Sequence, residues 1–129
     1  MTNELLEDIK KYAAQDRDIL SVCLFGSSAR GEKSPASDID VCLVLNKNDC
    51  SSLELSGKKL EYQTRYPQAD VQIFRQLPIY IRVRVLREAR IILCRDEEKL
   101  YSLAFSVITE YGDFEHILRE YLKEVENAG

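Results

Sequence analysis

The sequence is poor in the residues that interrupt structure. Five glycines and three prolines in 129 residues exclude collagen-like and low-complexity disordered chains. It also lacks a long apolar run. The opening MTNELLEDIK carries acids where a secretory signal or membrane anchor would be apolar, so a cytoplasmic protein without membrane contact is expected. Paired cysteines are missing too: Cys23, Cys42, Cys50 and Cys94 have neither zinc-knuckle nor redox-motif spacing. They read as reduced thiols, with Cys23 and Cys42 acting as small core residues inside apolar runs. There is no excess of positive charge. The formal net charge is −4, so direct binding to a nucleic-acid backbone is not expected. The single histidine, His116, lies in a charged helical segment without an evident partner and reads as a solvated position. No internal repeat appears.

What is present suits an ordinary globular chain, 45% hydrophobic and 31% charged, with room for one core. A single domain over residues 1–129 is expected, residues 96–129 forming a C-terminal helical extension. After Thr2, Leu5, Leu6, Ile9, Tyr12 and Ala13 recur at helical spacing through Gln15. The run ILSVCLF from Ile19 to Phe25 is a buried strand that stops at Gly26. Residues 26–37 form a loop, and Asp38 opens a second strand, DIDVCLVL. Ser51 to Tyr66 reads as a surface helix ending at Pro67, and Ala69 to Phe74 as a third strand. Residues 78–88 are ambiguous: Ile79, Ile81, Val83 and Val85 alternate like a strand, while Pro78 suits a helix start. Arg90 to Cys94 can form a fourth strand, and Asp96 can cap a following helix that Gly112 can interrupt before the pattern resumes at Asp113. The fold class is therefore α/β (α+β): a small mixed β-sheet of about four strands with flanking helices and C-terminal helices.

The segment from Gly26 to Asp40, GSSARGEKSPASDID, concentrates the chemistry. Gly26 permits close approach of a phosphate to the backbone, and Ser27 offers a hydroxyl and an amide, so the turn can cradle phosphates. Asp38 and Asp40 alternate along one strand and face the same way, where two carboxylates can share hard divalent cations. Asp70 opens the next strand and completes a three-carboxylate site if the two strands are neighbours. Arg30 can add a bidentate phosphate contact. Arg75, Arg82, Arg84, Arg87, Arg90 and Arg95 gather positive charge that suits a triphosphate or an acidic partner, or simply a solvated helix face. Tyr62, Tyr66, Tyr80 and Tyr101 suit core or interface positions.

Gly-Ser, ten residues, Asp-x-Asp and a later Asp resemble the signature of the polymerase-beta-like nucleotidyltransferase superfamily. The variant Gly-Ser-x-Ala-Arg-Gly-Glu with Ser37 before the acids is similar to its minimal nucleotidyltransferase (MNT) group, including the antitoxins of HEPN/MNT pairs. This resemblance implies a nucleotidyltransferase fold and Mg²⁺-dependent transfer from ATP, with two ions. It implies that Asp38, Asp40 and Asp70 are the catalytic, metal-binding acids and that Gly26, Ser27 and Arg30 bind nucleotide. It implies an antitoxin that transfers AMP to a tyrosine of a cognate HEPN ribonuclease toxin, its hetero-oligomeric partner. Transfer to a small hydroxyl compound such as an aminoglycoside is the alternative enzyme reading, and a non-catalytic binding antitoxin the alternative from another class.

Overall fold

The computed structural model describes residues 2–26, 39–47 and 49–128. Its elements follow the apolar pattern closely: α1 (Thr2–Gln15), β1 (Ile19–Phe25), β2 (Ile39–Leu45), α2 (Ser52–Arg65), β3 (Ala69–Ile73), a single 3₁₀ turn (Phe74–Gln76), α3 (Ile79–Glu88), β4 (Arg90–Cys94) and α4 (Glu97–Ala128). The four strands form one sheet in the order β3-β2-β1-β4. β1 is antiparallel to β2 and β4, whereas β3 is parallel to β2. That parallel pair needs a crossover, which α2 provides.

Both faces of the sheet are covered. Ile9 and Ala13 of α1 and Leu55 and Tyr62 of α2 pack with Val22, Val41, Leu43 and Val71 on one face. Val83 and Val85 of α3 and Val107 of α4 pack with Cys23, Cys42 and Val44 on the other. Successive β2 residues thus enter opposite cores, which is why the run VCLVL is apolar without a break. Cys23 and Cys42 are free, buried thiols. Burial pushes both up in pKa and keeps them protonated.

The ambiguity at residues 78–88 resolves as helix. Pro78 sits at the N-cap, and alternate apolar residues serve a helix half-buried under α4. Gly112 does not interrupt the final helix, which runs unbroken through it for 32 residues. A glycine costs a helix interior only about 1 kcal/mol, and the packing of α4 on α3 outweighs this. Asp96 does cap α4, its Oδ1 accepting the Lys99 amide at 3.3 Å. His116 has a partner after all: its Nε2 lies 3.2 Å from Glu120 on the exposed surface of α4. Among the described residues no helix is long and apolar enough to cross a membrane.

Two polar clusters fix the helices on the first face. Arg95 donates through Nη2 to the carbonyls of Ala13, Ala14 and Asp16 and through Nε to that of Ile19. It thereby satisfies carbonyls that the end of α1 leaves without helical partners. Asp16 Oδ2 accepts from Lys58 Nζ at 3.0 Å and from the Tyr62 hydroxyl at 2.9 Å, tying the end of α1 to α2. Burial pushes the Asp16 carboxyl up, but the hydrogen bonds from Lys58 and Tyr62 outweigh it and hold it below the ordinary carboxylate value. A carboxylate depressed in the folded state contributes stability above its unfolded pKa and loses it as pH falls through the folded one. The melting temperature should therefore drop as pH is lowered below about 4. Asp16→Asn should lower it at pH 7 and flatten that acid slope, and a slope unchanged by the substitution would remove Asp16 from the account.

Candidate active site

Two strands and one turn build the site at one end of the sheet. β1 ends at Phe25, which pairs with Asp40 of β2. Asp40 in turn pairs with Asp70 of β3 in the parallel register. Neighbouring strands lie about 4.8 Å apart, so this register sets two carboxylates side by side on one face. The face is defined by the alternation: Ile39, Val41 and Leu43 enter the core under α1 and α2, while Asp40 shares the opposite side with Cys42 and Val44. Likewise Ala69, Val71 and Ile73 are buried, and Asp70 stands exposed between the first two. Asp40 itself is half-buried.

Gly26 follows Phe25 with φ +68, the left-handed region that side chains disfavour. A Cβ built there would lie 2.7 Å from Asp40 Oδ2. The glycine therefore does two things: it turns the chain out of β1, and it leaves the Asp40 carboxylate room beside bare backbone. Ser27, Arg30 and Asp38 lie outside the described residues. Of the six proposed site positions, the structure brings Gly26, Asp40 and Asp70 together.

Asp70 is held from behind by residues that sequence reading missed. Gln72 Nε2 donates to Asp70 Oδ1 at 3.1 Å, and Lys59 Nζ donates to Gln72 Oε1 at 3.3 Å. Gln63 of α2 donates to the Ala69 carbonyl and accepts the Val71 amide at 3.0 Å, so a side chain occupies the outer edge of β3 on both sides of Asp70. The signal for Gln72 was available: two residues beyond Asp70 on a strand means the same face. That of Gln63 was not, because it depends on where α2 lies against the edge.

The arginine cluster divides. Arg95 serves α1, Arg82 donates to the Leu77 carbonyl at 3.0 Å and lies 3.8 Å from Glu110, and Arg84 lies 3.8 Å from Glu88. Arg90 pairs with Leu24, one row from the row of Phe25, Asp40 and Asp70. Tyr62 and Tyr66 are core residues, whereas Tyr80 and Tyr101 are exposed.

Chemically, adjacent carboxylates at a strand end supply hard oxygen donors of the kind Mg²⁺ takes. Among the described residues no third histidine, cysteine or acid joins them. Residues 7–98 match the model of the polymerase beta nucleotidyltransferase family. The chain belongs to that family. The nucleotidyltransferase is 32% identical over 103 residues, 79% of this chain and 77% of the other, to a Methanocaldococcus jannaschii protein described as "Putative protein adenylyltransferase MJ1547". It is similar in fold to a chain of a toxin-antitoxin complex with AMP-PNP, with TM-score 0.65 and 15% identity, covering 96% of this chain and 94% of that one. It is also similar to a chain of the complex of tri-AMPylated Shewanella oneidensis HEPN toxin with MNT antitoxin, with TM-score 0.66, 13% identity and coverage of 97% and 98%.

Proposed function

We propose that this nucleotidyltransferase is a metal-dependent protein adenylyltransferase that moves AMP from ATP to a tyrosine of a HEPN ribonuclease toxin and so acts as its antitoxin. One observation carries the chemistry: Asp40 and Asp70 are paired in register beside a positive-φ glycine whose missing Cβ leaves room for the Asp40 carboxylate. The acceptor rests on the relatives, one described as a protein adenylyltransferase and another a complex of AMPylated HEPN toxin with its antitoxin. A relative described as a protein adenylyltransferase favours this over transfer to a small hydroxyl compound.

In the reaction an acceptor oxygen attacks the α-phosphorus of ATP, a new P–O bond forms, the bond to the β-phosphate oxygen breaks and pyrophosphate leaves. Asp40 and Asp70, with Asp38, would hold two Mg²⁺ ions, which when bound lower the pKa of the attacking hydroxyl and neutralise the leaving pyrophosphate. Asp70 takes the side of the attacking hydroxyl and assists removal of its proton, held in orientation by Gln72. Gly26 and Ser27 present backbone amides and a hydroxyl to the β- and γ-phosphates, and Arg30 adds a charged contact there.

The test is co-expression with a candidate HEPN toxin from the same organism. Wild type should rescue growth and add one or more AMP masses to a toxin tyrosine, whereas Asp40→Asn with Asp70→Asn should do neither. Rescue that survives the double substitution would make the protein a binding antitoxin without catalysis.

A further inference from the structure

α4 is longer than the body it packs on. Its 32 residues span about 48 Å at 1.5 Å per residue. In the first half, Leu100, Leu103, Val107 and Tyr111 lie against α3 and the sheet. At 100° per residue the same face continues into the second half as Phe114, Leu118, Tyr121 and Val125, with Ile117 and Leu122 on its shoulders. From Tyr111 the intervals are three, four, three and four residues, the spacing of a helix-packing seam. Yet these six large side chains are 45% to 66% exposed. A seam that packs for half its length and then runs on bare is larger than the scattered apolar residues of a monomer surface.

Charge decides what covers it. Glu115 borders the stripe on one side, and on the other lie Glu124 and Glu110, the latter also 3.8 Å from Arg82, all within about 95° of its centre. Further round, Arg119 and Glu126 stand seven residues apart at one helical position of opposite charges, and Lys123 lies about 165° away on the back of the helix. A second copy of α4 laid on this seam would set glutamates against glutamates, the arrangement that border charges use to forbid pairing. A surface with an apolar groove between lysines or arginines meets it without that cost.

We infer that the distal half of α4 docks a different protein through an apolar groove edged by basic residues, and that this contact positions that protein for modification. The partner's identity, the HEPN toxin, and its modification rest on the function proposed above. Because the stripe is solvent-exposed, substitutions there should leave the fold intact. The nucleotidyltransferase should run as a monomer by light scattering and bind a candidate HEPN toxin from the same organism in calorimetry. Leu118→Asp with Tyr121→Asp should weaken that binding about 100-fold or more, as loss of two central anchors does. Glu115→Lys with Glu124→Lys should weaken it about tenfold and reverse its decline with salt. Lys123→Ala should change nothing, and circular dichroism should report the same helix content throughout. Wild-type affinity in the Leu118/Tyr121 variant would overturn the docking surface while leaving the partner reading intact. A wild-type dimer that the same variant dissolves would name a second copy as the occupant and overturn it too. A wild-type monomer that does not bind the HEPN protein at all would overturn the partner reading and this inference with it.

Discussion

Asp40→Asn should lower the rate of AMP transfer by about three orders of magnitude or more. The rate loss corresponds to about 4 kcal/mol of transition-state stabilisation, the scale expected when a carboxylate is withdrawn from a site that works by charge neutralisation. Asp40 and Asp70 are neighbours on adjacent strands, so withdrawing either leaves the proposed metal site with one hard oxygen ligand fewer. Asp70→Asn should also cost rate, but with nucleotide affinity retained, because its assigned place is beside the acceptor. Single-turnover rates with thermal melts of the same samples check both. An Asp40→Asn protein that keeps wild-type turnover would remove this acid from the mechanism.

Gly26→Ala should disable the site by a different route. The left-handed φ of +68 costs a side-chain-bearing residue about 1 kcal/mol. The added methyl would also meet Asp40 Oδ2 at 2.7 Å, so either the turn or the carboxylate must shift. A displacement near 1 Å at a reacting centre costs about 100-fold in rate, and both losses should appear together. Gly57 and Gly112 are the internal controls. Each lies within a helix with nothing within 4 Å of an added Cβ, so alanine there should raise stability by about 0.5–1 kcal/mol and leave turnover alone. Chemical denaturation of the three alanine variants, with turnover measured on each, separates a strained functional glycine from merely permissive ones.

Much of this was legible in the residues because the apolar periodicities agree with the capping and turn chemistry. ILSVCLF and DVCLVL could hardly be anything but buried strands, and their ends locate Gly26 and Asp40. Asp70 was legible only as a conditional, since whether β3 lies beside β2 is a matter of pairing, which no local pattern encodes. Residues 78–88 defeated the pattern because a helix half-buried under another tolerates alternating apolar residues, and Pro78 alone favoured the helix. Gly112 misled for the opposite reason: tertiary packing overrides a propensity of about 1 kcal/mol. Arg95 was grouped with its neighbours as surface charge, but it is spent on the carbonyls at the end of α1. A contact between residues so far apart in sequence leaves no local trace.

The account stands on transfer of the α-phosphoryl-linked nucleotide by the site at Gly26, Asp40 and Asp70. The most direct measurement incubates the protein with Mg²⁺, a candidate HEPN toxin from the same organism and ATP labelled at either the α- or the γ-phosphate. The account predicts that label enters the HEPN protein from the α-position only, with pyrophosphate released, and that Asp40→Asn abolishes it. Label entering from the γ-position, or entering equally in the Asp40→Asn protein, would contradict it.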